Sequence, residues 1–171
     1  LSTFLTQDAP IDAIAITGGE PLVQSTFLTT FLRDAALPVP VLLETNGTLP
    51  RRLAHVLPYV DIISMDMKPP SNTGENAFWE AHADFLQVAH TREVYIKILV
   101  DQATTEHDLR RAASIICDIA PNTPTFLQPI TSADGRPDIT AAYLTACYRL
   151  LHAHLPTIRV LPQTHKLLGI Q

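Results

Sequence analysis

The chain has 171 residues, a formal net charge of -5 and a hydrophobic fraction of 46%. That is enough apolar chain for one domain, spanning 1–171, with a real core. No basic run tracks a phosphate backbone, which argues against nucleic-acid binding. No apolar stretch approaches about 18 residues, so no membrane-spanning helix is expected, and no basic start followed by an apolar centre marks a secretory leader. Two cysteines, Cys117 and Cys147, support no disulfide framework. Both fall in helical patterns among aliphatic residues and read as small buried hydrophobes, with a reducing cytoplasm as the default compartment. The sequence opens on Leu1 rather than Met, inside a helix-like stretch, Leu1 to Leu5. The expectation from this is that the natural protein starts further upstream.

In chain order, the apolar run Ala13-Ile14-Ala15-Ile16 predicts a strand, and Thr17-Gly18-Gly19-Glu20-Pro21 a tight glycine turn. Proline then opens an amphipathic helix over Leu22 to Ala36, with Leu22, Phe27, Leu28, Phe31 and Leu32 on one face. Val41-Leu42-Leu43 is a buried strand ending in Glu44-Thr45-Asn46-Gly47, a turn signal. A short helix follows Pro50, with Leu53, Val56 and Leu57 inward. Asp61 to Met65 is the next strand, ending in Asp66-Met67-Lys68, and Pro69 to Gly74 is a loop by composition. A helix is expected from about Asn76 to Ala89 and a strand over Val94 to Val100. A further helix, capped by Thr104 or Thr105, runs to about Ala120 with Leu109, Ala112, Ile115, Ile116 and Ile119 inward. Thr125-Phe126-Leu127 is a strand ending in Gln128-Pro129, Ile139 to Leu155 a helix, and Ile158 to Leu161 the last strand. Strands alternating with helices in this way predict an α/β fold with a parallel sheet.

The strand ends share a character. Thr17 to Glu20, Glu44-Thr45-Asn46, Asp66 and Lys68, Gln128, and Gln163 and His165 all follow directly on apolar runs. Lys97 is the exception, lying inside its strand and directed either to the barrel interior or to the helices. Parallel α/β folds bind ligands at the C-terminal ends of their strands, so these residues predict one shared site. Within it, paired glycines let backbone N–H groups approach a ligand, and the helix start that follows favours a carboxylate or phosphate. Glu20 adds a carboxylate suited to an amino group, so the corner could grip an amino acid moiety.

These segments, read together with Pro162-Gln163-Thr164-His165-Lys166-Leu167-Leu168-Gly169, resemble the radical S-adenosylmethionine (SAM) enzymes. Within them the order is similar to the 7-carboxy-7-deazaguanine synthase family. The resemblance implies a partial (β/α)6 TIM-like barrel of the radical SAM type, often dimeric. It implies ring contraction of 6-carboxy-5,6,7,8-tetrahydropterin to 7-carboxy-7-deazaguanine with loss of ammonia, in queuosine and 7-deazapurine biosynthesis. The implied cofactors are SAM, a [4Fe-4S] cluster and Mg2+. Carried over by motif, the cofactor-binding residues are Gly18, Gly19, Glu20, Asp66, Met67, Lys68, Gln128, Pro129, Ile130 and Thr131. Glu20 is placed near the SAM ammonium or as the residue that orients its loop. The substrate-binding residues are Thr17, Thr45, Asn46, His165 and the terminal carboxylate of Gln171. Many relatives have Ser-Pro-Lys where this chain has Asp66-Met67-Lys68.

One departure is large. The family holds its cluster in a Cys-x3-Cys-x2-Cys loop after the first strand, and this chain has no such motif. Of the seven histidines, His152 and His154 are two apart on a predicted helix and share no face. The expectation is a chain in which the first strand, the cluster loop and the magnesium-contacting threonine precede Leu1, and which alone is inert in radical chemistry and prone to aggregate at an exposed sheet edge. Two alternatives stand beside it: a cluster-free domain that keeps SAM or purine binding, and another radical SAM subfamily such as a glycyl-radical activating enzyme.

Overall fold

The computed structural model describes residues 11–74, 76–132 and 134–164. Six strands form one sheet: β1 (Ile14–Ile16), β2 (Val41–Thr45), β3 (Ile62–Met67), β4 (Glu93–Val100), β5 (Thr125–Pro129) and β6 (Arg159–Val160). They lie side by side in sequence order and every neighbouring pair is parallel. The helices are α1 (Ser25–Ala35), α2 (Pro50–Val56), α3 (Pro70–Thr73), α4 (Trp79–Ala89), α5 (Glu106–Ile119) and α6 (Ala141–His152). Each long helix packs on the next, α1 on α2, α2 on α4, α4 on α5 and α5 on α6. Sequential parallel strands joined by crossovers of one hand place every helix on the same face.

That arrangement sorts the strands by alternation. Leu43, Ile63, Met65, Met67, Ile96, Ile98 and Leu127 are fully buried under the helices. Their neighbours Glu44, Ser64, Asp66, Lys97 and Gln128 occupy the opposite, helix-free face. On the helix side, α5 contributes Leu109, Ala112, Ile115 and Ile116, all buried, as its 3.6-residue spacing requires. Its start is fixed by Thr105, whose hydroxyl accepts from the Asp108 N–H at 3.3 Å.

Several boundaries differ from expectation, each for a local reason. The helix after Pro21 opens as a 3-10 turn, Pro21–Gln24, closed by the bond from Val23 N to the Glu20 carbonyl at 3.1 Å. A 3-10 turn advances three residues per turn, so the phase between Leu22 and α1 shifts. Leu28 and Leu32 stay buried, but Phe27 is 63% exposed and stacks on half-buried Phe31, ring centroids 6.0 Å apart. The stretch after Lys68 holds the one-turn α3, begun by proline and stopped by Gly74 in the left-handed region, φ 68°. β3 extends to Met67 and β5 to Pro129, so Asp66, Met67, Gln128 and Pro129 are strand residues. Leu57 and Ile119 are half-buried. The last strand is an edge of two residues paired to Phe126 and Leu127.

The turn after β2 shows how tightly this face is packed. Gly47 has φ 67°, and a Cβ there would lie 2.7 Å from the Met65 Cε. Beside it, His82 of α4 is 1% exposed, with Nε2 3.2 Å from the Asn46 carbonyl and no hydrogen-bond partner for Nδ1 among the described residues. Burial holds its pKa down to about 4, against the smaller upward pull of that carbonyl. The imidazole is therefore neutral, donating from Nε2.

Two predictions follow from this packing. Gly47→Ala must adopt a left-handed backbone and displace Met65, and should cost about 1–2 kcal/mol in urea unfolding at pH 7; no loss would show that the turn can relax. For His82, stability is complete above the unfolded pKa of 6.5 and falls as pH drops towards 4, by about 3 kcal/mol in total. The wild-type protein should therefore lose that much more than His82→Gln between pH 7 and pH 4, and parallel curves would refute a buried neutral imidazole.

Candidate functional site

The corner after β1 is open. Gly18 has φ 138°, a conformation that demands glycine, and no protein atom lies within 4 Å of where a Cβ would sit on Gly18 or Gly19. The backbone N–H groups of Gly18, Gly19 and Glu20 donate to no described residue. Thr17 is exposed at the same corner. Glu20, by contrast, is heavily engaged. Its Oε1 accepts from Leu22 N at 3.1 Å and from the Thr45 hydroxyl at 2.9 Å, and its Oε2 accepts from Asn46 N at 2.8 Å. One carboxylate thus caps the 3-10 turn and fastens the turn after β2 to the turn after β1. Of the two roles considered for Glu20, these bonds are those of a residue that orients its loop.

The same bonds fix Thr45 and Asn46. Thr45 is buried, and its hydroxyl is spent on Glu20 and on the Gly47 N–H at 3.3 Å. Asn46 Oδ1 accepts from the backbone and hydroxyl of Thr48, closing an Asx turn, and leaves its Nδ2 without a described partner. Asn46, Thr48, Lys68, Thr73, Phe78 and His82 line a cavity of about 300 Å³. Lys68 is exposed and forms no ion pair with a described residue. Met67 beside it is fully buried in the core, so only its backbone reaches the rim.

On the helix-free face, three charges from three strands meet. Lys97 Nζ lies 2.9 Å from Asp66 Oδ1 and 3.7 Å from Glu44 Oε2. Register explains it, since Asp66 pairs with Lys97 across β3 and β4. Burial works against the ammonium, but the Asp66 and Glu44 carboxylates outweigh it, and Lys97 titrates above an ordinary lysine. Lys97 therefore faces the barrel interior, one of the two directions left open by sequence. Next to the triad, the Ser64 hydroxyl is fully buried with no described partner. The sequence marks Glu44 only as a strand-end residue and Lys97 only as a charge inside its strand; that they share a face with Asp66 emerges from the register.

Further along, Gln128 is 9% exposed at the end of β5, and Pro129 and Thr131 are buried. The segment is pinned by its neighbours. Ile130 N donates to the Val100 carbonyl at 2.8 Å, and Thr131 N to Gln163 Oε1 at 2.9 Å. Asp138 N returns to the Ile130 carbonyl at 2.8 Å, Gln102 N donates to the Asp138 carbonyl at 2.8 Å, and Thr140 N donates to Gln102 Oε1 at 3.0 Å. The turns after β4, β5 and β6 are thereby laced together. His165 and Gln171 lie outside the described residues. Cys147 is buried and Cys117 half-buried, and burial raises both thiols above their ordinary pKa, as inert packing residues should be.

The sheet thus carries Thr17 to Glu20, Asp66 to Lys68 and Gln128 to Thr131 on one rim, since all six strands point the same way. The glycine corner, with free N–H groups and room for a ligand, fits the amino acid end of SAM. An iron–sulfur cluster has no such fit: the chain has two cysteines in all, and among the described residues no group of three His, Cys, Asp or Glu could hold a metal ion.

The triad yields a direct prediction. Lys97→Met leaves two carboxylates facing each other, and with the pair partly exposed the loss should be about 2 kcal/mol. Adding Asp66→Asn should recover part of it in a double-mutant cycle, and strict additivity would show that the charges do not interact.

No family model matches the chain. It is 39% identical over 158 residues to the 7-carboxy-7-deazaguanine synthase of Geobacter sulfurreducens, covering 92% of this chain and 63% of that one. It is 34% identical over 161 residues to that of Methanopyrus kandleri, covering 90% and 59%, and 30% identical over 155 residues to that of Thermoplasma acidophilum, covering 91% and 66%. The chain therefore spans about three fifths to two thirds of the length of these relatives. Among solved structures it is similar to a radical SAM methyltransferase from Sphaerobacter thermophilus, with a TM-score of 0.64, 16% identity and coverage of 90% and 52%. The structure of TYW1 with a lysine-pyruvate adduct bound matches at a TM-score of 0.52 and 12% identity, covering 83% and 50%. These two show the fold, an open and partial radical SAM (β/α)6 barrel. Over nine-tenths of its length the chain is a homologue of the 7-carboxy-7-deazaguanine synthases.

Proposed function

We propose that this chain forms the SAM- and substrate-lining part of a 7-carboxy-7-deazaguanine synthase, acting in ring contraction of 6-carboxy-5,6,7,8-tetrahydropterin with loss of ammonia. The observation that carries the reading is the 39% identity to a 7-carboxy-7-deazaguanine synthase across 92% of the chain. The open Gly18–Gly19 corner on the same rim as Lys68 and Gln128 supports it. In this reading the N–H groups of Gly18, Gly19 and Glu20 hold the amino acid end of SAM, and Asp66 to Lys68 and Gln128 to Thr131 line the rest of the cofactor. Thr17, Thr45 and Asn46 are assigned to the pterin side with His165 and Gln171, Thr45 acting through the turn it holds. In this reading residues 1–171 belong to one domain of a cytoplasmic homodimer. The cluster and Mg2+ are supplied by residues other than these.

Titration of SAM into the 171-residue chain by calorimetry is the direct test. Binding is expected, and both Gly19→Val and Lys68→Ala should weaken it by about tenfold or more at unchanged melting temperature, because neither position packs on the core. A folded wild-type chain that binds no SAM would overturn the reading. Anaerobic iron and sulfide reconstitution should leave the chain colourless, as two cysteines cannot supply three thiolates. An upstream Cys-x3-Cys-x2-Cys in the same reading frame separates this reading from a cluster-free SAM- or purine-binding domain.

A further inference from the structure

Lys68 can hold an anionic group only if the backbone that carries it is stiff, yet the segment after it has little stiffness of its own. The one-turn α3 spans four residues, with Asn72 N bonded to the Pro69 carbonyl and Gly74 N to the Pro70 carbonyl, and a single turn is far below the length that keeps an isolated helix formed. What holds it comes from elsewhere in the chain. Ser71 N donates to Asp108 Oδ2 at 3.1 Å, Thr105 N donates to Ser71 Oγ at 3.1 Å, and Asn72 Nδ2 donates to the Leu99 carbonyl at 2.9 Å. Asp108 is 5% exposed. A carboxylate is expensive to bury, and this one sits in the first turn of α5, where the helix dipole favours it. Its described partner from outside α5 is the backbone of the Lys68 segment.

We propose that Asp108 is a positioning residue for the Lys68 segment, which it fastens to the start of α5 through Ser71, so that the affinity of the rim for SAM depends on a carboxylate that does not touch SAM. The proposal rests on the reading that Asp66 to Lys68 line the cofactor. Nothing local in the sequence joins Ser71 to Asp108, 37 residues apart. The clamp also explains why a loop rich in proline and small polar residues follows the lysine. Proline fixes the entry into α3, and Ser71 and Asn72 supply the short polar groups that α5 and β4 grip.

The test is hydrogen exchange of the 171-residue chain together with SAM calorimetry, on the wild type, Asp108→Ala, Asp108→Asn and Ser71→Ala. Asp108→Ala should raise exchange at residues 66–74 about tenfold, leave the second half of α5 protected, and weaken SAM binding about tenfold. Asp108→Asn, which still presents an oxygen to Ser71 N, should restore most of both. Ser71→Ala, which keeps the Ser71 N–H on Asp108 but removes the Oγ that accepts from Thr105 N, should move both readouts the same way to a smaller degree. Should Asp108→Ala unfold the chain outright, the Asp108→Asn and Ser71→Ala pair decides the matter. Unchanged exchange at 66–74 overturns the clamp, and faster exchange with unchanged SAM affinity overturns its role in positioning. A wild-type chain that is folded but binds no SAM removes the reading on which the role rests, whereas the exchange data still decide whether the clamp exists.

Discussion

The strict left-to-right order of six parallel strands is the constraint from which the rest follows. It puts every crossover on one side, so one face of the sheet becomes the core and the other is left free of helices. It also aims all six strands at one rim, where the chain has to turn and where backbone groups have no sheet partner. Short side chains and glycine at those turns are therefore forced to do two jobs: satisfy the loop and leave something over for a ligand. Glu20 shows the first job done with both carboxylate oxygens, and Gly18 and Gly19 show the second, with N–H groups that have no described partner and open space where a Cβ would sit.

Charge on the helix-free face obeys a similar division. Lys97, Asp66 and Glu44 sit on three neighbouring strands with the ammonium between two carboxylates, tightly on one and loosely on the other. The ammonium offsets one negative charge, and the remaining one stays with the less buried Glu44. Placing the same residues on the helix side would strand them among Met65, Met67 and Ile98, at a cost of several kcal/mol for each unpaired ion. Alternation along the strand, and nothing more elaborate, keeps them out of the core.

How much of this was written in the sequence depends on the range over which each signal acts. The six strands were legible because apolar runs bounded by glycine, proline and polar residues are local, and so was a threonine cap on α5, which the structure places at Thr105 rather than Thr104. The phase of α1 was not, because the 3-10 opening that turns Phe27 outward depends on the Glu20 cap rather than on periodicity. The site divides in the same way. Thr17 to Glu20, Asp66 to Lys68 and Gln128 to Thr131 announce themselves as polar words after apolar runs. Glu44 with Lys97, and Ser71 with Asp108, become pairs only when strands and helices far apart in sequence are set beside one another, and His82 becomes a special histidine only when α4 closes over the Asn46 turn.

The lacing of the turns after β4, β5 and β6 constrains how this fold can vary. Gln102 is bonded to both Asp138 and Thr140, and Gln163 to Thr131, so each turn is measured against its neighbour. Inserting or deleting a single residue in one of them would throw the others out of step. Length on this edge of the barrel is heritable only as a set, and divergence among such chains should proceed there by exchanging side chains rather than by lengthening loops.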